Sequence, residues 1–153
     1  MATFWVRDLL FGVPVDQVQE VLHDQPETRV PLAPAGIRGV MNLRGRIITG
    51  IDLPQLLGER ACAGGTNVIV RWEDEWVSLR ADRIGEVIEL DGAAPSGRRE
   101  QLRDRARALV KEVYEWQQQL VLLLDTNAVV EMAWSEPADD RATPGRSRKS
   151  GEV

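Results

Sequence analysis

Arg44 and Arg46 flank Gly45 in the middle of GVMNLRGRIITGIDLPQLLG, residues 39 to 58, an otherwise apolar and strand-like stretch. A guanidinium is planar, always charged and carries five donors, so it can clamp a carboxylate or backbone carbonyls. At a hairpin tip it can equally be a solvated turn residue. Asp52 and Asp125 each follow an apolar run, where a carboxylate ordinarily caps the next turn, and they make a poor catalytic pair. His23 is the only histidine, reads as a loop residue and has no cysteine beside it, so no metal site is expected. The single Cys62 excludes an internal disulfide and a multi-thiolate metal site and fits a reducing compartment. No nucleophile stands with an orienting base, so neither catalysis nor a cofactor is expected.

Bulk properties narrow the partners. A formal charge of -5 and a pI near 5.0 argue against nucleic acid, which rewards a basic face. One local exception is GRREQLRDRARALVK, residues 97 to 111, with six Arg or Lys against two acidic groups; it reads as a solvated helix face or a contact for an acidic partner. No apolar run approaches the roughly 20 residues that cross a bilayer, and no export signal is evident, so a cytoplasmic location without membrane insertion is expected. Trp5, Trp72, Trp76, Trp116 and Trp134 read as core or sheet-edge residues rather than stacking platforms.

The elements that must hold these groups are short. Residues 3 to 7 and 9 to 13 read as a hairpin meeting at Asp8. Pro14 suits a helix start, and Val15, Val18, Val21 and Leu22 have helical spacing, so two turns of helix are expected there. Pro26, Pro31, Pro34 and Gly36 make the following segment extended and irregular. Residues 39 to 43 and 46 to 52 form a second hairpin around Arg44-Gly45, followed by one helical turn in LPQLLG that Gly58 ends. A linker near 59–66 precedes a third hairpin, NVIVRW and WVSLRA, then DRIGEVIEL. Leu102, Ala106, Leu109, Val110 and Val113 have helical spacing, predicting a surface helix over 98–113 that runs into the next strand. The last 19 residues, 135–153, lack apolar content and read as a disordered tail.

Two halves of the chain echo each other. Laying FGVPVDQVQEVL over VSLRADRIGEVI pairs Asp16 with Asp82, Val18 with Ile84, Glu20 with Glu86 and Val21 with Val87, 66 residues apart (82 minus 16). Laying MNLRGRIITGIDLPQLL over YEWQQQLVLLLDTNAVV pairs Ile47 with Leu120 and Asp52 with Asp125, 73 apart (125 minus 52). Short strands, hairpin signals and this duplication favour a mostly β chain of two small antiparallel barrels or curled sheets, since no long crossover helices are available for parallel strands.

Over about residues 4 to 131 the sequence resembles the CheW family of bacterial chemotaxis adaptors. IRGVMNLRGRIITGIDLPQLLG carries the most specific match, through Gly-Val, Asn-Leu-Arg-Gly and the later Asp-Leu. FGVPVDQVQEVL is similar to the family's first helix, ADRIGEVIEL to the corresponding element of the second half, and LVLLLDTNAVV to the closing strand. The resemblance implies two intertwined five-stranded β-barrel subdomains within 1–134. It implies a non-catalytic adaptor that couples methyl-accepting chemoreceptor tips to the regulatory domain of the histidine kinase CheA, in arrays at the membrane. It also implies a receptor helix lying in an apolar groove, met by Val18 and Glu20 from one half and Ile84 and Val87 from the other, with Gly39 and Arg44 in the motif hairpin; the kinase contact is unassigned. Helical spacing alone leaves Val18, Ile84 and Val87 equally open to a core role. Within the motif, Arg44 is expected to act as a clamp and Arg46 to be merely exposed. Lys111 in place of the family's Gly, QQQ at 117 to 119 in place of a Gly-containing turn, and the Arg-rich segment depart from the pattern. They leave a related non-flagellar pathway, or less favourably a nucleic-acid-binding barrel, as alternatives.

Overall fold

Ten short strands pair into two five-stranded sheets in the computed structural model, which describes residues 1–61, 64–135 and 137. The expectations for Cys62 and for the tail beyond Ser135 lie outside the described residues, Pro137 apart. In chain order the strands are β1 (Ala2–Val6), β2 (Leu9–Val13), β3 (Val18–His23), β4 (Ile37–Leu43), β5 (Arg46–Asp52), β6 (Thr66–Trp72), β7 (Glu75–Ala81), β8 (Arg83–Val87), β9 (Val110–Trp116) and β10 (Gln119–Leu124). Three helices join them: α1 (Leu53–Leu56), α2 (Asp104–Leu109) and α3 (Thr126–Ser135).

One sheet runs β8-β1-β2-β10-β9 and the other β3-β6-β7-β5-β4. Shifting every strand by five places converts one order into the other, so the sequence echo is a structural pseudo-symmetry in which the halves exchange strands. The β1-β2 hairpin of the first half sits between strands of the second, and β6-β7 of the second between strands of the first. Backbone bonds repeat at the same offset. Asp52 N donates to Gly36 O at 2.9 Å and Asp125 N to Leu109 O at 2.8 Å, 73 residues on (109 minus 36). Thr28 N donates to Val40 O at 2.8 Å and Ser96 N to Val113 O at 2.7 Å, again 73 apart on the acceptor side (113 minus 40).

The apolar residues explain why two sheets form. Each sheet closes one face over its own small cluster: Met41, Ile48 and Ile69 with Leu22, Leu43 and Trp76 in one, Leu10, Ile88 and Val121 with Trp5, Leu90 and Trp116 in the other. These clusters share pseudo-equivalent members, Leu22 with Ile88 and Leu10 with Trp76 at 66, Leu43 with Trp116 and Ile48 with Val121 at 73. The opposite faces meet in one large core spanning both sheets and all three helices, including Phe4, Phe11, Ile51, Leu53, Val70, Leu79, Leu109, Leu122 and Val129. Phe4 and Phe11 are fully buried, each stabilising the fold by about 1.5–3 kcal/mol. The expected pair of five-stranded barrels is therefore present in open form; among the described residues no ladder joins β3 to β4 or β8 to β9. We call them the β1 barrel and the β3 barrel.

Several expectations need correction. Residues 15 to 22 are not a helix: Val15–Gln17 makes one 3-10 turn and β3 follows at once, paired antiparallel with β6. Pro14 holds φ -58 and ψ 138, an extended geometry, and the β-branched Val18 and Val21 suit a pleated edge better than a helix. His23 accordingly ends a strand rather than lying in a loop. ADRIGEVIEL, the counterpart in the second half, likewise gives strand β8. The helix expected over 98–113 shrinks to a 3-10 turn, Arg99–Gln101, and α2, because Val110 and Val113 pair into β9 against β10. The closing segment LVLLLDTNAVV is strand only to Leu124; Asp125 Oδ1 then accepts Ala128 N at 3.1 Å and α3 begins. Nor are the sheets wholly antiparallel. β2 pairs parallel with β10 and β5 with β7, and no crossover helix is needed because the partners come from different halves.

Candidate docking surface

The Asn-Leu-Arg-Gly motif is a left-handed two-residue turn between β4 and β5. Arg44 has φ 51 and Gly45 φ 84, and Asn42 Oδ1 accepts Gly45 N at 3.0 Å, closing the turn from inside. Leu43 packs against the barrel cluster. Arg44 is left projecting across the open seam, where it meets β3: Nη1 reaches Glu20 Oε1 at 2.7 Å and Nη2 reaches Oε2 at 2.6 Å. A bidentate pair of this kind fixes orientation as well as charge. Because β3 and β4 are opposite edges of their sheet, it also shows that the sheet curls round on itself. Hydrogen bonds from Arg44 hold the Glu20 carboxyl below its ordinary range, partial desolvation opposes this, and the guanidinium charge reinforces it. Arg44 is raised in turn, chiefly by the same bonds. Arg44 thus clamps a carboxylate, but one of the chain's own, Glu20. The guanidinium side stays open to solvent, with Arg44 64% and Glu20 22% exposed at their side chains.

Gly39 is buried and touches no outer surface. It lies opposite Gly50 in the β4–β5 ladder, and together they leave a notch in the sheet. Thr28 O fills the place of a β-carbon at Gly39, whose φ of 153 also favours glycine, and the Glu27 carboxylate fills that place at Gly50. The proline-rich segment 24–36 is thus a strap seated in the notch and bridged to β4 through Thr28 and Val40. Arg38 locks it, giving Nε to Glu27 Oε1 at 2.7 Å and Nη1 to Asp52 Oδ2 at 2.8 Å. Burial alone would lower the Arg38 pKa, but these two carboxylates outweigh it and raise it. Asp52 meanwhile caps α1 as expected, accepting Gln55 N at 2.9 Å.

The other sequence-derived candidates divide. Val18 is half-buried and packs on the main core, so it leans on the fold more than on the surface. Ile84 and Val87, on edge strand β8, are 41% and 70% exposed, which removes the core alternative for both. The structure thus joins Glu20 with Arg44 on the β3 barrel and Ile84 with Val87 on the β1 barrel. Arg46 is exposed, yet its guanidinium lies over Trp76 at 4.1 Å from the ring centroid.

Three features escaped the sequence. Arg80 is 1% exposed and donates to Asn67 Oδ1 at 2.8 Å, Gly64 O at 3.0 Å and Asp24 Oδ1 at 2.5 Å. Nothing local distinguishes it from a solvated arginine. The Arg-rich segment is both a solvated face and an internal staple: Arg98, Arg103, Arg105 and Lys111 are exposed, while Arg99 donates to Val110 O and Arg107 O, Arg105 to Leu56 O and Arg107 to Leu102 O. Ile47 is 68% exposed on β5 although its run is apolar; alternation along the strand was the available signal, since Ile48 next to it is buried.

Among the described residues no group of three or more His, Cys, Asp or Glu could hold a metal ion, and no helix is long and apolar enough to cross a membrane. Residues 1–133 match the CheW-like domain family. Chemotaxis protein CheW of Bacillus subtilis (strain 168) is 27% identical over 141 residues, covering 90% of each protein. Chemotaxis protein CheW of Treponema pallidum (strain Nichols) is 33% identical over 95 residues, 58% of this chain and 56% of that protein. The crystal structure of the scaffolding protein TtCheW from Thermoanaerobacter tengcongensis superposes with a TM-score of 0.69 at 25% identity, covering 81% of this chain and 86% of that one. A match that takes in both barrels, the exchanged strands and the Asn-Leu-Arg-Gly turn leaves one conclusion: the chain belongs to the CheW family.

Proposed function

We propose that this chain is a chemotaxis scaffold that acts by binding, without turnover, holding chemoreceptor tips to the regulatory domain of the kinase CheA at membrane-attached arrays. The observation that carries this is the match to the CheW-like domain over residues 1–133, which covers both barrels. The surface chemistry supports it. Exposed aliphatic side chains at Ile84 and Val87, with a charged clamp at Arg44, suit a helical tip whose apolar side chains supply affinity while ionic contacts at the rim set its orientation. Val18 and Glu20 belong to this surface through β3. Gly39 belongs to it indirectly, by seating the strap beneath the motif hairpin.

Co-sedimentation of the purified protein with receptor-tip assemblies and with the CheA regulatory domain tests the proposal. Binding to both is expected, and binding to neither overturns it. Arg44→Glu places a carboxylate against Glu20 and should weaken coupling while the circular dichroism spectrum stays that of the wild type, since a tip residue tolerates exchange. Unfolding of that variant would make the clamp a structural device alone.

A further inference from the structure

The two barrels differ at one pair of equivalent positions. On the β3 barrel, Glu20 receives both Nη atoms of Arg44 from the neighbouring hairpin. The corresponding residues of the β1 barrel are Glu86 (86 minus 20 is 66) and Gln117 (117 minus 44 is 73). The local backbone is conserved between the two sites. Gln117 has φ 50 against 51 for Arg44, and both strands carry a register shift beside the glutamate, between Val18 and Glu20 on β3 and between Ile84 and Val87 on β8. What is missing is the cation. Glu86 is exposed, has no side-chain ion pair among the described residues, and lies between Ile84 and Val87 on an unpaired strand edge.

From this asymmetry we propose that Glu86 is a docking site for an arginine supplied by the partner, borne between aliphatic side chains on a helical surface, so that the partner completes in the β1 barrel the clamp that Arg44 completes within the β3 barrel. Charge complementarity selects this occupant. A lone carboxylate amid exposed aliphatics favours a guanidinium with an apolar surround over an acidic segment, and the geometry needed is already realised by Glu20 and Arg44. The inference rests on the proposal that β8 faces the receptor tip, and it names the chemistry of that contact.

The experiment measures binding of receptor-tip assemblies by the full chain, as wild type, Glu86→Gln and Gln117→Arg. Glu86→Gln keeps size and removes charge, and should weaken binding about tenfold. It should also flatten the salt dependence between about 0.05 and 0.5 M, where an exposed pair is progressively screened. Gln117→Arg supplies an internal guanidinium at the turn position of Arg44, and should weaken binding to a similar degree by occupying Glu86. Replacing the matching arginine of the tip by glutamate should be rescued in part by Glu86→Arg. Wild-type binding with unchanged affinity and salt dependence in Glu86→Gln overturns the inference and leaves the scaffold proposal standing. Failure of the wild type to bind overturns both.

Discussion

The β1 and β3 barrels have the same strand order, equivalent core clusters and matching backbone bonds, yet their edges and seams are treated differently. In the β3 barrel, Gly39 and Gly50 face each other, a strap lies in the notch they leave, and Arg44 latches the seam onto Glu20. In the β1 barrel the same ladder position pairs Glu112 with Leu123, so no notch exists. Its β9 edge is covered instead by Ser96 and by Arg99 bonded to Val110 O, and the seam carries no ion pair between Glu86 and Gln117 among the described residues. A duplicated frame has been given one fastened copy and one left open.

The largest effect expected from breaking this difference is at the notch. Gly39→Val drives a branched side chain into the backbone of Thr28 at a φ that valine resists, and should cost about 3 kcal/mol or more in urea unfolding. Its counterpart Glu112→Val, exposed and in a space already occupied by a side chain, should change stability by under about 0.5 kcal/mol. Next comes Arg80→Met, which removes the buried guanidinium and leaves Asn67 Oδ1 without that donor. About 2 kcal/mol should be lost, with hydrogen exchange accelerating first at the Asp24 and Gly64 backbone.

The latch has a smaller, pH-dependent signature. The folded-state pKa of Glu20 is depressed relative to the unfolded chain, so its contribution is complete at neutral pH and disappears as pH falls through that depressed value. Thermal melts of Glu20→Gln should therefore lie below wild type at pH 7 and converge with it in acid. A constant gap across the titration would remove the ionic account of the seam. Smallest of all, Glu86→Gln should leave the melting temperature at pH 7 where it is, because no ion pair is lost within the described residues; a drop would mean that the open seam has its own fastening.

Much of the frame was legible because β-hairpins announce themselves locally. Arg44-Gly45, the turn between NVIVRW and WVSLRA and the alternating strands beside them depend on neighbours in sequence. What was misread depends on distant partners. Val18 and Val21 have helical spacing and become strand because β6 offers a ladder, and Val110 leaves its expected helix for β10 in the same way. At the site, the motif pointed to Arg44 and Glu20 separately, and their contact follows only from the curl of a sheet whose edges lie far apart in order. Gly39 was placed in the right hairpin for a different reason: its role is to be absent as a side chain, which only the strap above it reveals. Arg80 could not be singled out, since its burial is set by three segments of the chain.

The exchange of strands also constrains how the molecule comes into being. The β1-β2 hairpin leaves the ribosome before the rest of its sheet and has no neighbour there until β8 and β10 emerge 70 residues or more later (83 minus 13 is 70 to β8). The β3 barrel becomes complete once β7 is made, earlier than the barrel that was begun first. Synthesis should therefore pass through a state with one closed barrel and an unpartnered apolar hairpin, a window in which chaperones or a second nascent chain could seize it.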